Sequence, residues 1–479
     1  MDSLERLRVS ADSRRLETSS GRPFFYLADT AWTMPQRLKW DDARHFMSVR
    51  KSQGFNVLQI VALDPERDVK MRNPAGETAL FDDDLTKPNE RYFAYLDEIL
   101  DSAEQLGFYV LLLPVWGQLV VGESWGGKTF PKTVTVENAA WFGEWIGRRY
   151  RERTNIIWCL GGDRQPIHAG VDYRMVWREL AEGLAFGVTG RRAKWHQESE
   201  IWDQLLITYH TCFEMETGEY STFSYWTDED KWISFTSLQS GHGLLTENYK
   251  AVTLEQQRKT IRPVIDIEPA YERMPMNWPE LFPLHGDGIV RKRAYWSVLA
   301  GACGHSYGHA SVWCFISEKE RDQVLDASWF EALSHPGAAQ LGFLRQLATT
   351  VPFERWLPDQ SLTDHVCQQP CLDEHIQSAR DRNGEFVIAY LSSGGQVDLK
   401  LDALSSAPLV GIWFNPRTGN TETFDVTDQR ITLSSPTSGL DQDWILLVAN
   451  RSLELGGLGE RNSWGEPEEI GRMTMIWAE

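Results

Sequence analysis

Between residues 24 and 313 the chain repeats one pattern. A short apolar run ends in a polar break, and a stretch follows in which apolar residues return every three or four positions. The runs at 24–28, 56–63, 108–116, 156–160, 192–196, 232–240, 264–268 and 305–313 read as buried strands, the last interrupted by Gly308. Residues 40–52, 92–106, 138–150, 172–186 and 291–301 have helical spacing, and 254–259 belongs to a helix before the seventh strand. Near-continuous apolar strands separated by amphipathic helices predict parallel strands covered by helices. Eight such units, over somewhat more than the ~250 residues typical of the fold, predict an α/β architecture, a (β/α)8 TIM barrel with long loops. An open doubly wound sheet would need a Gly-rich phosphate turn after its first strand, and Ala28-Asp29-Thr30-Ala31-Trp32 is not one.

Beyond Gln340 the texture changes to short alternating runs with turn signals between them. Residues 386–391 follow the turn Arg382-Asn383-Gly384-Glu385. Residues 396–401 set Val397, Leu399 and Leu401 against Asp398 and Lys400, and 411–415 run into Pro416-Arg417-Thr418-Gly419-Asn420. With 443–449 these predict a small antiparallel β-sandwich. The predicted organisation is a catalytic barrel over 1–350 with a short N-terminal hairpin, a sandwich over 351–455, and a tail over 456–479, docked or disordered.

Charge narrows the partners. With 68 acidic and 48 basic residues the formal net charge is -20. A phosphate backbone or an anionic bilayer would be repelled, so neither nucleic acid nor membrane is an expected partner. No apolar run approaches the length of a membrane span. The start, Met1-Asp2-Ser3-Leu4-Glu5-Arg6-Leu7, lacks the basic segment and apolar stretch of a secretory leader. Six scattered cysteines fit free thiols, so a cytoplasmic location is the expectation; a secreted protein without its leader would read the same. Aromatic residues are abundant, with 21 Trp, 14 Tyr and 21 Phe. Most are expected in the core and a few in a cleft, where indole faces suit sugar rings.

In such a barrel the active site lies at the C-terminal ends of the strands. Two of those ends stand out. Pro263-Val264-Ile265-Asp266-Ile267-Glu268-Pro269 is an apolar run that delivers a carboxylate and then breaks at a proline. Asn155-Ile156-Ile157-Trp158-Cys159-Leu160-Gly161-Gly162-Asp163 delivers another, behind glycines that let backbone approach a ligand. Cleavage of a glycosidic bond needs two such carboxylates, one to protonate the leaving oxygen and one to attack or stabilise the sugar carbon. The rigidly mounted Glu268 is the expected nucleophile and Asp163 the expected general acid/base, one ionised while the other is protonated. Arg164, a cation that would favour ionised Asp163, is expected to point away or to pair elsewhere. The same rim offers sugar contacts: Asp29, Trp32, Trp116, His196, His242, Tyr271 and Trp313. Asp29 reads equally well as a helix cap, and the two histidines as core residues. Asp266 is expected on the strand side that carries Glu268. No metal or cofactor is expected, because no His-x-His follows the first strand and His305 and His309 lie four apart on a strand-like stretch.

Gly21-Arg22-Pro23-Phe24-Phe25-Tyr26-Leu27-Ala28-Asp29-Thr30-Ala31-Trp32, followed by Gln53-Gly54-Phe55-Asn56-Val57-Leu58-Gln59, resembles the start of the apiosidase-like glycoside hydrolases, family 140. The Gly161-Gly162-Asp163 and Ile267-Glu268-Pro269 segments fit the same family, and the C-terminal part is similar to the sandwich domain named there for collagen binding. The resemblance implies a retaining hydrolase acting on a carbohydrate substrate at an apiose unit of plant origin, with Asp163 matching the acid/base and Glu268 the nucleophile. An imported oligosaccharide or small glycoside would suit a cytoplasmic enzyme. Many members of the wider clan place Asn before the acid/base, where it contacts the sugar 2-hydroxyl. Gly162 stands there in this chain, so another residue does that work or the sugar differs. The alternatives are another furanosidase, such as one acting on arabinofuranose, and a carbohydrate-binding barrel without catalysis.

Overall fold

A computed structural model describes residues 4–124, 127–213, 218–244, 246–276, 283–363, 374–405, 408–453 and 455–459. Eight parallel strands form the central sheet: β1 Tyr26–Thr30, β2 Val57–Val61, β3 Tyr109–Leu113, β4 Ile156–Gly161, β5 Ile207–His210, β6 Thr236–Leu238, β7 Val264–Asp266 and β8 Gly304–Tyr307. They are laddered in the order β5-β4-β3-β2-β1-β8-β7-β6. The seam between β5 and β6 is closed by two hydroxyls and a backbone amide. Thr208 Oγ1 donates to Phe235 O at 2.7 Å, Ser237 Oγ donates to Tyr209 O at 2.5 Å, and Ser234 N–H donates to Ile207 O at 2.8 Å. The result is a TIM barrel.

Seven helices of nine or more residues cover the strands: α1 Trp40–Ser52, α2 Glu90–Gln105, α3 Val136–Arg149, α4 Arg174–Thr189, α5 Asn248–Gln256, α6 Asp287–Leu299 and α7 Pro336–Thr350. Local sequence sets their ends. Asn89 caps α2 by accepting the Arg91 amide, Thr135 and Asn138 form a capping box on α3, and Gly190 ends α4 in the left-handed region. Among the described residues no helix is long and apolar enough to cross a membrane.

The expected fifth strand is wrong. Residues 192–196 turn outside the barrel, where Arg178 of α4 lies over the Trp195 ring at 3.6 Å and Glu182 accepts the Trp195 amide at 3.0 Å. The true strand is the more β-branched Ile207-Thr208-Tyr209-His210. The eighth strand is also shorter than expected. It ends at Tyr307, because the Tyr271 ring lies where a side chain on Gly308 would stand, within 2.1 Å of an added Cβ.

Inside the barrel, Tyr26, Val57, Val61, Tyr109, Leu111, Leu113, Ile157, Cys159, Leu206, Phe235, Ile265 and Ile267 form one cluster. One polar residue crosses it fully satisfied. Gln59 accepts from Tyr26 Oη at 3.0 Å and Ser306 Oγ at 2.9 Å, and donates to Ile267 O at 2.9 Å and Thr30 Oγ1 at 3.2 Å. It ties β1, β2, β8 and the end of β7 just beneath the rim.

The C-terminal unit is a six-stranded antiparallel sheet that starts at Trp356–Pro358, with the paired strands Gly394–Lys400 and Arg430–Ser438 over its outer face. Its inner face, with Ile388, Tyr390, Ile412, Phe414, Ile445 and Leu447, shares one apolar cluster with the barrel helices. Tyr390 stacks on Tyr295 with centroids 4.9 Å apart. Asp443 accepts from Arg291 of α6 at 2.8 Å and from Tyr390 Oη at 2.9 Å, all deeply buried. Such a pair fixes how the two units dock more than it adds net stability. The start of the tail docks too, with Gln346 Nε2 donating to Gly457 O at 2.8 Å; residues 460–479, and Cys367 and Cys371, lie outside the described residues. The four described cysteines are buried free thiols.

Candidate active site

Backbone irregularities deliver the two acids. In β7, Ile265 and Ile267 fill the barrel interior, while Asp266 faces outward. There Asp266 accepts Ser240 Oγ at 2.6 Å and Asn248 Nδ2 of α5 at 3.0 Å. By simple alternation Glu268 would follow Asp266 outward. It does not, because the Ile267 and Glu268 amides converge on one acceptor, Leu238 O, at 2.9 and 3.3 Å. This bulge-like register slip re-aims the next side chain, and Glu268 turns over the barrel mouth. So the expectation that Asp266 shares its side fails.

Asp163 arrives by a different route. Gly161, Gly162 and Asp163 all have positive φ, at 87°, 111° and 50°. At Gly162 an added Cβ would sit 2.5 Å from the Trp116 ring, so only glycine lets the chain pass flat over that indole. Asp163 itself is one of the few residue types that tolerates the left-handed region, and the turn aims its N–H across the rim.

One imidazole joins the two acids. Asp163 N–H donates to His210 Nδ1 at 3.2 Å, so Nδ1 is the acceptor. The ring proton therefore sits on Nε2, which donates to Glu268 Oε2 at 2.7 Å. Tyr271 is the second support of Glu268. Burial, and then the Glu268 charge, hold its phenol far above the usual range, so it stays protonated beside that carboxylate. Trp32 Nε1 donates in turn to Tyr271 Oη at 3.3 Å. Gln239 Nε2 donates to Asp163 Oδ1 at 2.9 Å and Gln239 Oε1 accepts the Phe213 amide, which fixes the amide's orientation. The Glu268 side chain is 9% exposed and that of Asp163 18%. Asp163 is thus the more open of the two to an incoming molecule.

The aromatic expectations divide. Trp32 and Trp116 pack at a tilt with centroids 5.3 Å apart, and both lie against His210, at 5.5 and 5.7 Å. They form a buried floor, while the half-buried Trp313 packs beside them at the mouth. His242 stands against Tyr271 with centroids 4.7 Å apart. Burial, then the neighbouring His285, push its imidazole down to about 3, so it is neutral.

Three expectations are corrected. Asp29 does not reach the rim. It is fully buried on the outward face of β1, paired with the equally buried Arg50 of α1. His196 is exposed in the connection from α4 to β5, at the opposite end of the barrel from the strand ends that carry the acids. Arg164 does not point away: Nη1 is 3.3 Å from Asp163 Oδ2, and Nε donates to Glu123 O at 2.9 Å. Among the described residues no group of three His, Cys, Asp or Glu is placed to hold a metal ion.

The chain matches the model of the apiosidase-like catalytic domain over residues 10–355. A second model, described as the putative collagen-binding domain of a collagenase, matches residues 357–449. No curated protein matches the chain. A crystal structure of a glycoside hydrolase family 5 protein from Bacteroides vulgatus superposes with a TM-score of 0.82 at 26% identity, covering 94% of this chain and 95% of that one. A second structure, of a glycoside hydrolase, gives 0.81 at 25% identity, covering 94% and 98%.

Proposed function

This chain belongs to the apiosidase-like family of glycoside hydrolases, and from that premise we propose that it releases a pentose of the apiose type from plant-derived oligosaccharides or glycosides with retention of configuration. In the first step a Glu268 oxygen attacks the anomeric carbon while Asp163 gives its proton to the departing glycosidic oxygen. In the second, water attacks the same carbon, Asp163 takes its proton back, and the ester bond to Glu268 breaks. The observation that carries this reading is the single imidazole between the two acids, donating to one and accepting from the amide of the other. His210 Nε2 donates to Glu268 Oε2 and so holds the carboxyl in place for attack.

The anomer first released, followed by proton NMR, tests the mechanism: retention is expected, and an inverted first product would overturn it. A panel of aryl pentosides and plant apiosides tests the sugar. Turnover of arabinofuranosides alone would make the enzyme a different furanosidase, and no turnover would leave a binding barrel. His210→Ala removes a donor to the attacking carboxylate, so kcat is expected to fall about 10²-fold. A merely structural histidine would instead lower the melting temperature and leave kcat of the folded enzyme intact.

A further inference from the structure

The second strand ends on the same signature as the seventh. Ala62-Leu63-Asp64-Pro65 is an apolar run, a carboxylate and a proline, as is Ala-free Ile265-Asp266-Ile267-Glu268-Pro269 three barrel positions away around the ring. Backbone hydrogen bonds lay Asp64 beside the site. Trp116 N–H donates to Leu63 O at 3.0 Å and Gly117 N–H donates to Gly162 O at 3.1 Å, which sets Asp64, Trp116 and Asp163 next to one another across the ends of β2, β3 and β4.

The Asp64 carboxylate is only half used. The residue is 3% exposed, and Oδ1 accepts the Glu66 amide at 2.8 Å. Among the described residues Oδ2 has no hydrogen-bond partner. Among the described residues no cation forms an ion pair with it: Arg67, the nearest in sequence, feels its charge but reaches Glu320 at 3.4 Å. The loop around it is braced, with Glu66 Oε2 accepting Gln118 Nε2 at 3.1 Å and Ser124 Oγ at 2.9 Å. Burial pushes the Asp64 carboxyl up to about 7; the Glu66 amide and Arg67 oppose that rise, and the Glu66 and Asp163 charges add to it. The other titratable groups that feel it are Tyr92 of α2 and Cys314, both held protonated by burial. A turn alone could be made by Asn or Ser without the cost of a buried, unpaired acid.

We propose that Asp64 is a substrate-binding residue, whose free oxygen accepts a hydroxyl of the sugar cleaved between Asp163 and Glu268. This rests on the glycosidase reading. It also supplies a hydroxyl ligand from the strand next to Trp116, where Gly162 offers no side chain.

The test uses the full chain and 4-nitrophenyl apioside. A carboxylate binds a hydroxyl more strongly than the protonated acid does. For the wild type, KM is therefore expected to fall as pH rises through about 7. In Asp64→Asn that dependence disappears, and kcat/KM at pH 8 drops by about tenfold to a hundredfold. Stability gives a second, opposite readout. The folded-state acid titrates above its unfolded value, so its ionisation costs stability as pH rises from about 4 to about 7. Asp64→Asn is then expected to melt at least as high as the wild type at pH 8, with the difference gone below about pH 4. A structural role predicts lower melting and an unchanged KM. A flat wild-type KM between pH 5.5 and 8.5, or a kcat/KM for Asp64→Asn within twofold of wild type, overturns the proposal while turnover by the wild type keeps the glycosidase reading. A wild type that turns over no glycoside overturns both.

Discussion

Glu268→Ala is expected to lower kcat on an aryl glycoside by on the order of 10⁴-fold or more, as loss of a nucleophile does elsewhere, with no matching loss of thermal stability. The two halves of that result have different causes. The carboxylate is buried, accepts from His210 Nε2 at 2.7 Å and has the protonated Tyr271 phenol beside it. Removing it relieves a desolvation cost about as large as the hydrogen bonds it forfeits. The rate has no such compensation, because among the described residues no other carboxylate accepts the His210 Nε2 proton over the barrel mouth. Added azide is expected to restore turnover by entering the vacated space, and the glycosyl azide formed should have the anomeric configuration opposite to that of the substrate. Asp163→Ala should behave differently with an activated aryl leaving group. There the first step needs little acid help, the second stalls, and azide rescue gives a product of retained configuration. Exchange of these two outcomes would exchange the roles of the acids. Full activity in Glu268→Ala would remove Glu268 from the chemistry.

Much of the barrel was legible because its strands are apolar on both faces and its helices are not. Seven of the eight strands were found at or near their observed positions. The miss at 192–196 has a physical source. Arg192-Ala193-Lys194-Trp195-His196 alternates like a strand, but Trp195 is spent on a cation–π contact with Arg178, which no local pattern reveals. His196 goes with that stretch to the far end of the barrel, and His210, the residue that joins the acids, stands at the end of the true strand. Its signal was present: Ile207-Thr208-Tyr209 is β-branched and aromatic, and a polar residue follows at a strand end. Glu268 was found from sequence for an incomplete reason. Proline 269 fixes the chain, but the convergence of two amides on Leu238 O is what turns the side chain inward, and that depends on the neighbouring strand. Asp64 carries the same carboxylate–proline signature, but that signature alone does not place it at the site, which depends on what β3 and β4 set beside it.

Asp29→Ala is expected to cost about 3–5 kcal/mol of folding stability, read as a lowered midpoint of denaturation, while KM of the enzyme that remains folded stays at the wild-type value. Parity along β1 explains both. Tyr26 and Ala28 face the barrel interior, so Leu27 and Asp29 face the helices. Behind the strand, Arg50 of α1 is held by Asp29 and Gln53 and lies against the rings of Phe46, Phe55 and Tyr307, at 5.5, 5.7 and 5.4 Å. Burial raises the Asp29 carboxyl above its usual range, and Arg50 opposes that rise. Deleting the carboxylate leaves a guanidinium with 0% exposure and without its direct ion-pair partner, the costly half of a buried pair, with only the more distant Glu272 carboxyl still feeling its charge among the described residues. Replacing both partners tests that cause. Asp29→Ala combined with Arg50→Met should recover most of the lost stability, because the pair jointly offsets a desolvation cost that neither mutation alone removes. A KM that rises with Asp29→Ala at unchanged stability would instead return this aspartate to the sugar-binding rim. Additive losses in the double variant would show that α1 is held to β1 by packing and not by this pair.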